Sequence, residues 1–248
     1  SSDVCSSDLS WLERKPVQFT ILTTIAVAIG GIVQIVPIIV VKSNIPTISS
    51  VKPYSPLELE GRDIYIREGC NNCHSQMIRP FRSEVKRYGE YSKSGEYVYD
   101  HPFLWGSKRT GPDLMRIGGK YNDNWHFNHM WSPQRMDEKS VMPAYKWLFD
   151  NKAMDHSYIE KKMSVMVTLG VPYTDADIAN AKKSIEEQST KIEKSLYNDP
   201  DFVKSYEDSK KKAAAKGEDF VPMKDREIVA LIAYLQRMGT DIKVKKAE

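Results

Sequence analysis

The chain has 248 residues, enough for one medium domain with an anchor or for two small domains. With 28% charged residues and a mean hydropathy of −0.49, most of it is soluble, so its apolar residues must be concentrated somewhere. A net charge of +3 gives no global case for a nucleic-acid partner, and three cysteines, an odd count, exclude a complete disulfide framework.

Residues 1–9, SSDVCSSDL, are low in complexity and carry Cys5. A lipid-anchored cysteine needs an apolar run before it, and none precedes this one. The segment reads as a non-native or mis-called start and is set aside from fold reasoning. Residues 10–42 read as a transmembrane anchor. Val17 to Val41 carries no charge. At a helical rise of ~1.5 Å per residue it is about 37 Å long, more than the ~30 Å hydrocarbon core, and it spans with some tilt. A cleaved signal peptide is the rival, but its apolar region is shorter, and no small-x-small cleavage site follows in VVKSNIPT. Arg14 and Lys15 before the span, against Lys42 after it, mildly favour a cytoplasmic N-terminus. Thr20, Thr23, Thr24, Val27, Gly30, Gly31 and Gln34 recur at helical spacing as a small or polar stripe, suited to packing against a partner helix in the membrane.

Residues 43–56, with Pro46, Pro53 and Pro56, read as a linker, and the soluble domain covers 57–240. Its opening segment, LELEGRDIYIREGC, puts Leu57, Ile64 and Tyr65 on one helical face. Near its end, DREIVALIAYLQRMG places Ile228, Leu231, Ile232 and Leu235 at i, i+3, i+4, i+7, with Gly239 as the cap. An insertion at about 181–222 includes a Lys/Glu-rich helical stretch, broken at Asn198-Asp199-Pro200, that reads as a solvated helix. Residues 241–248 are a polar tail. Strand signals are few, so the fold class is mainly α.

Cys70-Asn71-Asn72-Cys73-His74 is the strongest chemical signal. Two thiols three residues apart can each form a thioether with a haem vinyl group, and the adjoining imidazole then lies under the iron. A zinc site would need a second ligand pair. A thioredoxin-like motif would open a helix after a strand, whereas this one closes a helix. One covalent haem c is therefore expected, with His74 as proximal ligand. Because such haem is attached on the outer face of the bacterial inner membrane, the domain should be periplasmic. Pro112, in Thr110-Gly111-Pro112-Asp113-Leu114, offers a carbonyl to the other ring nitrogen of His74. For the distal ligand Met77 lies too close to His74, and Met115 lies beside the proximal loop. Met142, stiffened by Pro143, is well placed, although a methionine here also suits plain core packing. His126 and His129, beside Trp125 and Trp131, are competitors that would give bis-histidine ligation. Two axial ligands leave no position for oxygen or peroxide, so the domain would transfer electrons without bond chemistry.

YIREGCNNCHSQMIRPFR, YVYDHPFLWGSKRTGPDLMRIGGKY, NDNWHFNHMWSP and MPAYKWL together resemble the mono-haem subunit (subunit II) of cbb(3)-type cytochrome c oxidases, as does GGIVQIVP in the anchor. The similarity is dense from about Val17 to Leu148 and resumes in TLGVPYTDADIANAKKS and the final helix. It implies a class I cytochrome c-like domain with long loops behind one transmembrane helix. It also implies a relay of electrons from a di-haem cytochrome subunit to a catalytic subunit whose haem b and copper reduce oxygen to water. Cys70, Cys73, His74 and Met142 match the family's haem residues, and Ser107 matches a loop near a calcium site shared with the catalytic subunit. The aromatic and basic stretch Arg79 to Lys108 suits a subunit interface. A free-standing anchored carrier, or the haem c subunit of a nitric oxide reductase, shares one anchor and one haem. Neither would account for RTGPDL and MPAYKWL together.

Overall fold

The computed structural model describes residues 10–41 and 45–243. The expectations for residues 1–9 with Cys5, for Lys42, and for the last five residues of the tail fall outside that range. The chain divides into two units, Ser1–Pro46 and Thr47–Glu248. Among the described residues it is helical, and the sole β feature is an isolated bridge between His74 and Arg109.

The first unit holds α1 (Ser10–Glu13) and α2 (Pro16–Val40). Pro16 opens α2, where its missing N–H is no loss and its fixed φ suits the first turn. Pro16–Pro37 is long and apolar enough to cross a membrane. Within the polar stripe, the hydroxyls of Thr20 and Thr24 donate back to the carbonyls of Pro16 and Thr20 at 2.8 Å. Those hydroxyls are satisfied inside the helix and can sit in hydrocarbon without an orphaned donor.

The second unit runs through α3 (Pro56–Arg67), α4 (Arg82–Tyr88), α5 (Asp123–Trp131), α6 (Pro133–Met136), α7 (Ile159–Thr168) and α8 (Asp175–Ala179), then α9 (Ala181–Leu196), α10 (Pro200–Lys216) and α11 (Glu227–Arg237). α3 starts with a capping box: the Glu58 N–H donates to Ser55 Oγ at 3.3 Å, and the Ser55 N–H donates to the Glu58 carboxylate at 2.8 Å. Pro56 fills its first turn. α11 ends before Gly239, whose φ of +68° breaks the helix.

α3 and α11 cross at the centre of the core. The expected face of α3 is buried at Leu57, Ile64 and Tyr65, and that of α11 at Ile228, Leu231, Ile232 and Leu235. Each such side chain contributes about 1.5–3 kcal/mol by leaving water. The backbones meet at Gly61, where a Cβ would overlap the carbonyl of Ala230 and stand 2.9 Å from Tyr234 Cβ. The next residue, Arg62, is buried; it donates to the carbonyls of His101 and Pro102 and pairs with Asp100 at 3.3 Å. It thereby ties the long loop after α4 to α3.

The Lys/Glu-rich stretch is not a solvated helix, and that expectation is corrected. α9 buries Ala181, Ile185, Ser189, Ile192 and Leu196, a stripe at helical spacing. Ser55 Oγ donates to Gln188 Oε1 at 2.7 Å, joining α9 to the start of α3. α10 begins where the break was expected, with Asp199 accepting from the Asp201 N–H at 2.9 Å, and packs inward through Phe202, Tyr206 and Ala213. Apolar residues are sparse in this segment, but their period suffices to define a buried face.

The helix crossing makes Gly61 intolerant of a side chain. Gly61→Ala should lower stability by about 1–3 kcal/mol through overpacking, seen as a lower urea midpoint for the full chain in mild detergent. An unchanged midpoint would mean the two helices can separate freely.

Candidate cofactor site

α3 leads directly into the Cys-x-x-Cys-His segment. Gly69, at φ +68°, reverses the chain, and Cys70–Asn72 form a single 3-10 turn. Cys70 is buried, Cys73 is exposed, and the two are not disulfide-linked. Burial, reinforced by the nearby Glu68 carboxylate, pushes the Cys70 thiol up to about 12. A redox-active dithiol needs the reverse shift, toward the thiolate, so the environment disfavours thiol–disulfide exchange. No cluster of three or more His, Cys, Asp or Glu able to hold a metal ion exists among the described residues.

His74 follows at the turn's end. Its Nδ1 lies 2.9 Å from the carbonyl oxygen of Pro112. Burial lowers its pKa, favouring the neutral ring. A neutral imidazole that donates Nδ1–H to this carbonyl keeps the lone pair on Nε2. Gly111 has to be glycine, because a Cβ there would overlap the His74 ring. The segment around it is sewn to the cysteine segment. The Gly111 N–H donates to the Cys73 carbonyl at 3.1 Å, and Tyr65 Oη donates to the His74 carbonyl at 2.9 Å. Asp113 is buried and accepts from Ser75 Oγ and the Met77 N–H at 3.0 Å, and from the Met115 N–H at 2.9 Å. Arg109 bridges Glu84 and the Met77 carbonyl.

A cavity of about 550 Å³ opens beside His74. Cys70, Cys73, Pro112, Leu231 and Leu235 line it, and so do Met142, Pro143, His126 and His129. The structure thus brings Cys70, Cys73, His74, Pro112 and Met142 to one cavity. Met142 is half-buried against the core. Its loop is held by Gln134 Nε2, which donates to the carbonyls of Ser140 and Met142 at 3.1 and 2.9 Å. Met77 is outside the lining, and Met115 packs in a separate small cluster with Ile78 and Tyr97. Ser107 is exposed and is also outside it.

α5 supplies a second wall. Asn122 caps it, accepting from the Trp125 N–H at 2.8 Å. Tyr121 stacks on Trp125 with centroids 3.9 Å apart, and Trp125 stacks on His129 at 4.6 Å, both pairs tilted by only 12°. His126 is almost wholly buried, and neither its Nε2 nor His129 Nδ1 has a hydrogen-bond partner. Burial lowers both pKa values; His74 contributes to the shift at His129, and His126 falls to about 4. The site's hidden parts were Gly111, Asp113 and Arg109. Only the Gly-Pro-Asp run hinted at them, since a tight approach calls for glycine and a buried carboxylate for donors.

The low value at His126 fixes a pH dependence. Below its ordinary 6.5 the unfolded chain takes up a proton that the folded chain refuses until about 4. Stability from this group is therefore complete above 6.5 and lost as pH falls toward 4. Lowering pH from 7 to 5 should cost about 2 kcal/mol of unfolding free energy at this residue, and His126→Phe should remove that part of the decline in urea titrations.

A family model described as "Cytochrome C oxidase, mono-heme subunit/FixO" matches residues 9–242. No curated protein matches the chain. The family carries one haem, and the residues fit such a group. The cavity is large enough for a flat macrocycle, Gly111 leaves the His74 ring unobstructed, and two buried imidazole nitrogens at its wall lack partners. The match spans nearly the whole chain, including the candidate membrane helix and every residue of the cavity: this protein belongs to the mono-heme subunit family of cytochrome c oxidases and is part of an oxidoreductase complex.

Proposed function

We propose that Cys70 and Cys73 hold one haem c through thioethers and that His74 Nε2 and Met142 Sδ ligate its iron. On this reading the chain relays electrons from a di-haem cytochrome subunit to the haem–copper subunit that reduces oxygen. The observation that carries it is the His74 Nδ1 contact with the Pro112 carbonyl at the edge of a cavity that Met142 also lines. When bound, the haem supplies a one-electron couple. The protein's own part is positional. Pro112 fixes the His74 tautomer, Gly111 leaves the ring its place, and Leu231 and Leu235 give an apolar lining that excludes water. With His74 and Met142 holding the group, the chain would pass electrons and perform no bond chemistry alone.

The same reading places α2 in the bacterial inner membrane, with the N-terminus cytoplasmic by the charges of Arg14 and Lys15 and the domain periplasmic. The stripe along α2 would pack against a helix of a partner subunit. The stretch from Arg79 to Lys108 displays Phe81, Phe103 and Trp105 at about half exposure, with Phe103 and Trp105 stacked at 4.4 Å. Rigid exposed aromatics suit docking on the catalytic subunit, and Ser107 would then lie near the shared calcium site.

His126 and His129 are the competing distal ligands, because both rings line the same cavity. Two measurements decide. Met142→Ala should abolish the near-infrared methionine–iron charge-transfer band of the oxidised chain; a surviving band would remove Met142 from the coordination sphere. A mild-detergent pull-down of the wild-type chain should carry haem b, copper and cyanide-sensitive oxygen uptake. Haem c alone would argue for a free-standing carrier.

A further inference from the structure

We infer that Arg87 and Lys120 receive the two propionate carboxylates of the haem, at the end of the cavity remote from Cys70 and Cys73. The inference rests on the covalent-haem reading above and adds the orientation of the group and the residues that neutralise it.

The first observation is an imbalance of charge. The cavity is lined by five cations, Arg87, Arg109, Arg116, Lys120 and Lys139, against two carboxylates, Asp113 and Asp137. Two of the cations are already committed. Arg109 pairs with Glu84 at 2.9 Å and Asp113 at 3.4 Å, and Arg116 holds Glu96 with two hydrogen bonds of 2.8 and 2.9 Å. Among the described residues Lys139, on the loop that carries Met142, makes no ion pair, and neither do Arg87 and Lys120. Arg87 and Lys120 each lie over an aromatic face instead, Tyr88 at 5.2 Å and Tyr121 at 5.4 Å. A third cation crowds the same place: Lys243 donates to the Gly118 carbonyl, and its pKa is lowered by burial and by the charges of Arg116 and Lys120. Like charges gathered at a cavity rim repel unless an anion joins them.

The second observation is the direction of the cavity along α11. Its cysteine end is tied to the start of that helix, because Arg67, three residues before Cys70, pairs with Glu227. Its cationic end is tied to the finish. The Gly118 N–H donates to the Met238 carbonyl at 3.0 Å, and the Gly119 N–H donates to Gln236 Oε1 at 2.9 Å, just before Lys120. Arg87 belongs to this end too. α4 stops at Gly89, where a Cβ would stand 3.4 Å from the stem of Arg116, and Arg116 donates to the Tyr91 carbonyl. The 11 residues of α11 separate the two ends by roughly 16 Å along the helix axis. In haem, the vinyl groups that take thioethers and the two propionates occupy opposite edges of the macrocycle. Thioethers at Cys70 and Cys73 therefore send the carboxylates toward Arg87 and Lys120. A carboxylate entering a partly dry cavity needs charged donors, and guanidinium and ammonium groups supply the strongest.

The test uses the full chain in mild detergent with haem attached. Resonance Raman of the propionate bending mode and potentiometric titration are read on Arg87→Gln, Lys120→Gln, Arg87→Lys, Lys120→Arg and Lys86→Gln. Lys86 is exposed on the same helix as Arg87 and does not line the cavity. Both neutralising variants should shift the bending mode and lower the midpoint potential, since removing a positive charge favours the oxidised iron. The charge-conserving variants should retain most of both signals, and Lys86→Gln should leave the mode in place. An unmoved mode in either neutralising variant, with haem still covalently bound on a denaturing gel, overturns the assignment. If the wild-type chain carries no haem that survives the gel, the covalent reading itself fails and this inference falls with it.

Discussion

The helix crossing at Gly61 determines where everything else in the domain can go. With no side chain at that position, α3 and α11 approach until Gly61 meets the Ala230 carbonyl, and the side chains on either side interdigitate. The Cys70 turn begins three residues past the end of α3, so the crossing also sets where Cys70, Cys73 and His74 lie relative to α11. Leu231 and Leu235, one turn apart on α11, then become both core residues and cavity lining. The cavity is the space that these two packed helices leave, closed on one side by the long loop that carries Pro112 and on another by α5.

That loop is held by polar contacts where apolar ones are scarce. Residues 89–122 contain no α-helix, only the 3-10 helix Ser94–Tyr97 and turns apart from the Arg109 bridge, and their folding depends on buried charge satisfied locally. Arg62 with Asp100, Arg116 with Glu96, and Arg109 with Glu84 and Asp113 form three separate anchors. Buried pairs of this kind add little net stability, but removing one partner costs about 3–5 kcal/mol, so each fixes a conformation more than it deepens a well. Asp113 is the clearest case: three donors converge on it, and they hold the His74 segment and the Pro112 segment in one register. The His74–Pro112 contact is the geometric consequence of that register.

How much could be read beforehand divides along the range of the physics involved. The spans of α2, α3 and α11 follow from local period, and so does the break between α9 and α10. The cysteine motif is legible for the same reason, since Cys70, Cys73 and His74 lie within four positions of one another. The packing role of α9 escaped because its five buried positions are diluted among lysines and glutamates, and composition outweighed period. Gly61, Gly111 and the Arg62–Asp100 pair escaped for a different reason. Their partners are 37 to 169 positions away, and no local pattern encodes a backbone that must approach something distant.

The electrostatics of the site fit a carrier better than a reagent. An enzyme that makes bonds arranges nucleophiles and bases toward reactive protonation states. Here Cys70 is driven toward the thiol and His74, His126 and His129 toward the neutral ring, every shift led by burial. Cys70 and these three imidazoles are thereby kept uncharged at neutral pH, while Arg87, Arg116 and Lys120 sit toward the cavity's other end. A redox centre that changes charge by one unit is least disturbed when the groups against it do not change protonation with it, and when its neighbours cannot move. The stacked Tyr121, Trp125 and His129 and the cross-linked loop on the His74 side supply that rigidity. The burial that holds Cys70 as the thiol and the three imidazoles neutral leaves these side chains little chemistry of their own to perform, which suits the electron-carrying role proposed for this site.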